Sequence, residues 1–433
     1  MSRYLPLLCQ SYCVKGIFEK KENMRVVNCL YCNLFLAVFG CSASLGLIWN
    51  PDQSWQMFDS GYQTYNYAPS SIISDDGIVE SHFYCSNEDA GVVIDHIYLT
   101  QRINGVWQPK TLVLAPGSAG TWDSVHVCDP AVVQGSFNYD GTNYQWAMFY
   151  LGCDRTDGNH NQIGVAFANS LTGPWIKYAN NPIILGSSAW WGTGQPSATS
   201  IDGQGQMLLF YTQGDSGGTR IRRRQLDFSN MSSKVIGSAV TLPTAGLTEI
   251  DGSPVIFHDA DFIYDSVRDK FFVCRERHPY DEITVPTWIA SQVQVACIDG
   301  AAIWSGSGSW KVLGNIGIDN SGYPRNHNSG ILRTGYGGLP DFSQIRIIFA
   351  VGVTGNNWLW SYRLHSITGD LVSFDLAGND GKVNFADYAI WSQYWGQTDC
   401  EPNSCGYYAD YNFDGTVDYA DIGFFAETWL TGF

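Results

Sequence analysis

The chain has 433 residues, more than one hydrophobic core usually supports, so two or more folding units are expected. Its net charge of −17 argues against a nucleic-acid partner, and ten acidic residues against one lysine after Leu371 concentrate that acidity in the tail. With 46 Gly, 16 Trp and an aromatic fraction of 14%, the composition suits many short strands joined by tight turns.

In chain order, the first element is a leader over residues 1–43. Met24-Arg25 supplies a start and a positive charge, and the apolar run of residues 26–39 has the length of a signal h-region, too short to span a bilayer with ease. Cleavage after Ala43 and a lipid anchor at Cys41 both stay open, with residues 1–23 read as an alternative start absent from the mature chain. The expectation is a secreted, periplasmic or cell-surface protein with no transmembrane span once mature. Twelve cysteines fit an oxidising compartment, but five fall in the leader. Cys85, Cys128, Cys153, Cys274 and Cys297 read as small buried hydrophobes, whereas Cys400 and Cys405 bracket a loop where a disulfide is plausible.

From residue 48 to 370 one pattern occurs five times. The copies open Ala68-Pro69-Ser70, Asp129-Pro130-Ala131, Gln195-Pro196-Ser197, Asp259-Ala260-Asp261 and Asn326-His327-Asn328, each followed by strand-like runs. Anchored on Pro69, Pro130, Pro196, Asp261 and Asn328, the steps are 61, 66, 65 and 67 residues. Such a period predicts an all-β, five-bladed β-propeller, because one sheet cannot bury both faces alone and stacking sheets in a ring does. First strands start, and second strands end, at one face of such a ring. That rule gathers Asp129, Gln195, His258, Asp261, Asn326 and His327 with Glu276, Asp154 and Asp215 around the channel mouth, and adds Asp95, His96 and His126 from blade one and its junction with blade two.

Several phrases in this region resemble glycoside hydrolase family 43 and its five-bladed relatives. They are Asp129-Pro130-Ala131-Val132-Val133, Phe149-Tyr150-Leu151, Ile163-Gly164-Val165-Ala166, Asn169-Ser170, Gly173-Pro174-Trp175 and Asn181-Pro182-Ile183. The resemblance implies cleavage of glycosidic bonds in an oligosaccharide or polysaccharide, with inversion and without a cofactor. One carboxylic acid protonates the leaving oxygen and a second carboxylate activates water. Asp129, whose Asp-Pro context resembles the family's base-bearing strand, is expected as general base. Glu276, between Arg275 and Arg277, is expected as general acid, with Asp261 tuning it. The family's acidic positions read Ala68 and Gln195 in blades one and three, so a His acid at His258 or His327 stays open. Asp95, His96, His126, Gln195, His258, Arg275, Asn326 and His327 are expected to bind substrate, and Trp190 and Trp191 to stack on sugar rings or plug the core. Two other functions stay open: a carbohydrate-binding propeller without catalysis, and a glycoside phosphorylase using Arg155, Arg275 and Arg325.

The periodicity changes at residue 372. Asp410, Asn412 and Asp414 occupy positions one, three and five of a 12-residue calcium loop, Gly415 makes its turn, Thr416 offers a carbonyl, and Asp418 and Asp421 close it. A looser upstream copy carries Asp375, Asp380, Asn384 and Asp387. Amphipathic helices are predicted after each loop, over residues 388–395 and 422–430. The two loop–helix units of residues 372–433 resemble dockerin domains, which implies calcium binding and docking to a cohesin-type scaffold. A calcium-stabilised tail without a partner is the other reading.

Overall fold

The computed structural model describes residues 45–279, 289–373, 385–398, 400, 409–410 and 416–423. The expected leader, and the Cys400–Cys405 pairing through Cys405, lie outside the described residues. Among those described, no helix is long and apolar enough to cross a membrane. The chain divides into two compact units, one spanning Leu45–Val372 and one holding the C-terminal residues from Ser373.

The first unit is a β-propeller made of five antiparallel meanders. The first begins with Asn66–Ile73, Val79–Asn87 and Asp95–Ile103, and the second with His126–Tyr139, Thr142–Cys153 and Gln162–Ala168. Gly192–Ser200, Gln206–Asp215 and Gly218–Asp227 form the third, and Ala260–Asp265, Lys270–Glu276, Val293–Asp299 and Lys311–Ile316 the fourth. The fifth, Arg325–Arg333, Gln344–Gly352 and Arg363–Ser373, takes its outermost strand, Leu45–Gln56, from the other end of the unit. The five first strands touch one another in cyclic order. The circle closes where Ser71 and Ile72 pair in parallel with Leu332 and Arg333. At that closure Gly330 is obligatory, because a Cβ there would sit 2.2 Å from the Pro69 carbonyl oxygen.

Second strands are apolar on both faces because both are covered. Leu208 and Phe210 pack toward blade four with Phe262 and Val273, while Leu209 and Tyr211 pack toward blade two with Phe149 and Phe167. This is the period-two rule applied to a sheet sandwiched between two others. Similar clusters fill the remaining junctions, so the core is distributed between sheets.

The repeated opening turns out to be a backbone device. Ala68, Asp129, Gln195, Asp259 and Asn328 all have positive φ, between 41° and 50°, and each begins or interrupts a first strand. The equivalents of Pro69, Pro130 and Pro196 are therefore Ala260 and Ser329. The anchors read from sequence as Asp261 and Asn328 are one residue out of phase, because the repeat conserves the bend rather than the proline.

Two residues beyond the bend, a side chain latches the next blade. Ser70 Oγ accepts the Val132 N–H at 3.3 Å, Ser197 Oγ accepts the Phe262 N–H at 3.0 Å, and Asp261 Oδ2 accepts the Ile331 N–H at 2.7 Å. Asp261 also pairs through Oδ1 with Arg333, whose side chain is 1% exposed. Asp261→Ala leaves that guanidinium buried without its anion, so a loss of about 3–5 kcal/mol is expected in urea unfolding. An unchanged midpoint would remove Asp261 from the role of latch.

Candidate functional site

The bends place their side chains on the propeller axis. A small cavity there is lined by Ala68, Pro69, Asp129, Pro130, Gln195, Pro196, Asp259, Ala260, Asp261 and Ser329. The bend residues are tied in sequence around it. Asp129 Oδ2 accepts the Gln195 N–H at 3.2 Å, and Gln195 Oε1 accepts the Asp259 N–H at 3.0 Å. Asn328 donates its amide side chain to Asp259 Oδ2 and its backbone N–H to Glu276 Oε1, the latter at 3.1 Å. Glu276 ends the second strand of blade four and reaches this ring from the side.

Three buried carboxylates thus converge: Asp129, Asp259 and Glu276, between 3% and 8% exposed. Burial pushes Asp129 up to about 7 against the pull of the Gln195 N–H, and the charges of Asp95 and Glu276 add to the rise. Asp259 is driven well above the carboxylate range by burial, then by the charge of Glu276 and the hydrogen bond the two share, with Asp129 and Asp261 contributing. Among the described residues no cation acts on Asp129 or Asp259. Near neutral pH Asp259 therefore keeps its proton, in a hydrogen bond with Glu276, while Asp129 is poised to lose its own.

Asp95 forms the flank nearest blade one. It accepts the Tyr65 hydroxyl at 2.8 Å, hydrogen-bonds Tyr67, and lies 3.0 Å from His126 Nδ1. His96 turns to Glu88 at 3.3 Å. His258 and His278 face each other through their Nε2 atoms. Burial, followed by His278 and Arg275, lowers His258 to about 3. His327 lies against the Tyr362 ring with its Nδ1 at Asn328, and burial lowers it to about 4. At neutral pH both His258 and His327 are therefore neutral imidazoles, not the imidazolium a general acid requires. Asn326 ties its amide to the Ser291 and Tyr323 carbonyls.

Of the arginines beside Glu276, Arg275 reaches its backbone carbonyl at 2.8 Å, and the charges of both are directed elsewhere. Side chains alternate along a strand, so Arg275 points to the opposite face, where it pairs with Glu249 at 3.0 Å and binds Gln294. Arg277 binds Gln292 and the Thr248 and Glu249 carbonyls. Asp215 is held by Arg220 across the hairpin that joins their strands, and Asp154 by His160 within one loop. Trp190 is 46% exposed, while Trp191 packs against the buried cluster of Cys85, Cys128, Leu151 and Cys153. Cys85 and Cys128 form a disulfide beside Asp129, where isolated thiols were expected. Asp259 is the site residue that the sequence reading passed over. Aligning Asp259-Ala260 with Asp129-Pro130 is the signal that finds it.

In the C-terminal unit, Phe385–Trp391 is helical and continues into a tighter turn at Ser392–Tyr394, close to the helix expected after the first loop. Asp387, Asp410 and Asp421 are 0%, 3% and 0% exposed. Asp418 Oδ1 accepts the Ala420 N–H, and Asp421 Oδ2 accepts the Asp418 N–H. Thr416 bridges to Thr398. Asp375, Asp380, Asn384, Asn412 and Asp414 lie outside the described residues.

Residues 377–425 match the model of the Dockerin type I domain. No curated protein matches the chain. Solved structures similar to it include Zg3597, a family 117 glycoside hydrolase of the marine bacterium Zobellia galactanivorans, at 9% identity, covering 76% of this chain and 90% of that one with a TM-score of 0.48. A thermostable family-43 glycoside hydrolase is 13% identical, with 76% and 94% covered and a TM-score of 0.47. The α-L-arabinofuranosidase PaAbf62A of Podospora anserina is 12% identical, with 76% and 97% covered and a TM-score of 0.46.

Asp129 has a stability signature. Its folded pKa lies above its unfolded value, so the native state binds the extra proton between about pH 4 and 7, and the stability it contributes is lost as pH rises through that window. Asp129→Asn keeps an acceptor for Gln195 and removes the buried charge. It is expected to raise stability at pH 8 by up to about 4 kcal/mol and to change it little at pH 4, read by calorimetry. A lower Tm at pH 8 would contradict the burial argument.

Proposed function

We propose that the propeller is an exported glycoside hydrolase whose acid and base are the axial carboxylates. The observation that carries this reading is three buried carboxylates meeting on the axis with their protonation states pushed apart. Asp129, poised near neutrality, acts as general base toward water. Glu276 donates the proton it shares with Asp259 to the leaving glycosidic oxygen. Asp259 thereby takes the tuning role first read into Asp261, whose oxygens are engaged by Arg333, Ser197 and Ile331. Asp95, held by Tyr65, Tyr67 and His126, and exposed Trp190 supply contacts to the sugar. The cationic site of a phosphorylase loses support because Arg275 is neutralised by Glu249.

The tail is proposed to hold calcium, as Dockerin type I domains do, through Asp410, Asn412, Asp414, Thr416, Asp418 and Asp421, with Asp375, Asp380, Asn384 and Asp387 serving the upstream loop. The burial of Asp410 and Asp421 in the second loop, and of Asp387 in the upstream one, fits a divalent cation in each, whose charge would offset that burial and pin the loop ends. Docking to a cohesin-type module is supported by the exposed aromatic pair Trp395 and Tyr419, stacked edge to face at 4.9 Å.

Turnover of oligosaccharides should follow a bell-shaped pH profile, rising as Asp129 ionises near pH 7 and falling as the Asp259–Glu276 pair loses its proton. Asp129→Asn and Glu276→Gln should each lower kcat by about 10²–10⁴-fold while retaining binding. Binding without turnover in the wild type, with phosphate present or absent, would make the propeller a carbohydrate-binding protein instead. Adding EGTA to the full chain should expose residues 385–423 to limited proteolysis while sparing the propeller, and unaltered cleavage kinetics would count against a calcium-held tail.

A further inference from the structure

A bend residue with positive φ turns its backbone N–H toward the preceding blade, and that buried donor needs an acceptor. Three of the five bend N–H groups are satisfied by side-chain oxygens of the preceding blade. The Gln195 N–H is taken by the bend residue Asp129 of blade two, the Asp259 N–H by the bend residue Gln195 and the second-strand Thr212 of blade three, and the Asn328 N–H by the second-strand Glu276 of blade four. For Asp129 the preceding bend residue is Ala68, which has no side-chain acceptor. There the Asp129 N–H donates to Cys85 Sγ at 3.0 Å. Cys85 is bonded to Cys128, the residue immediately before Asp129, so the same sulfur pair also ties the end of a blade-one strand to the start of the bend. Both sulfurs are buried, with Ala68, Tyr67 and Trp191 packed around them.

We infer that the Cys85–Cys128 disulfide is the positioning element of Asp129, standing in for the acceptor that Ala68 lacks and holding the carboxylate at its place on the axis. The cross-link thereby makes the geometry of the axial carboxylates depend on an oxidising environment, because reduction frees Cys128 and the adjoining bend together. This rests on the reading of Asp129 as base only where activity is measured. The placement of its backbone is measurable without a substrate.

The test uses the full chain as Cys85→Ala/Cys128→Ala, with and without Ala68→Asn. Asparagine tolerates positive φ, and by analogy with Asp129 and Gln195 it offers an oxygen to the next blade's bend. Hydrogen exchange followed by mass spectrometry should show faster uptake, by about tenfold, in peptides covering residues 125–135 of the double variant, with the corresponding bends of blades three to five unchanged. Adding Ala68→Asn should bring uptake back to within about threefold of wild type. No local rise, an equal rise in all blades, or a local rise that Ala68→Asn leaves in place would each overturn the inference. If the double variant does not fold, the triple variant decides: recovery of folded protein supports the inference and continued failure overturns it.

With 4-nitrophenyl glycosides as probes, the acid limb of the kcat/KM profile should shift in the double variant and return on adding Ala68→Asn. An unshifted limb in an active double variant would overturn the positioning role. Absence of turnover in every protein, wild type included, would instead strike at the hydrolase reading and leave the exchange result to stand by itself.

Discussion

Closing five sheets into a ring forces five backbone bends onto one axis, and each bend carries an N–H that water cannot reach easily. Every such donor that finds a partner in the preceding blade adds a fixed polar group to the centre. The polar lining of the axis is thus a by-product of solving a hydrogen-bond problem in the scaffold. Asp129, Gln195 and Glu276 each satisfy a neighbour's backbone and, in doing so, are themselves held in place. Rigid placement of this kind is what acid–base chemistry requires of its groups.

The same arrangement is electrostatically costly. Asp129, Asp259 and Glu276 are buried within one another's field and receive amide donors, while the guanidinium of Arg333 pairs with Asp261 and that of Arg275 with Glu249. Cations are therefore close by in the chain but directed to structural work. Burial and the charges of neighbouring carboxylates raise Asp129 and Asp259, so that a proton is retained near neutral pH. A lysine or arginine placed on the axis would relieve the repulsion, and with it the reason for the shifted pKa values.

In the C-terminal unit acidic groups meet a different environment. Asp418 caps the backbone of the following helical turn, while Asp387, Asp410 and Asp421 are buried. Oxygen ligands at loop spacing favour a hard divalent ion, whereas the axial carboxylates are bridged by amides and protons. Two clusters of like charge in one chain thus lead to opposite chemical expectations because their partners differ.

The amino-acid sequence by itself determined the repeat, the β-propeller and the calcium-loop pattern, since these follow from local spacing: turn-makers before apolar runs, and oxygen side chains at every second loop position. It also singled out Asp129, Gln195 and Glu276, because strand starts and strand ends are legible from periodicity. What it mis-phased were the fourth and fifth repeats, where Ala260 and Ser329 replace proline, and in the fourth Asp261 was read for Asp259. The two differ by two positions, and only the latch to Ile331 and the pair with Arg333 assign Asp261 to the blade junction. The directions of Arg275 and Arg277 and the joining of Cys85 to Cys128 across 43 residues were likewise decided by tertiary structure alone. Pairing across blades depends on which strands the closed ring brings side by side, and that information is held by no single stretch of chain.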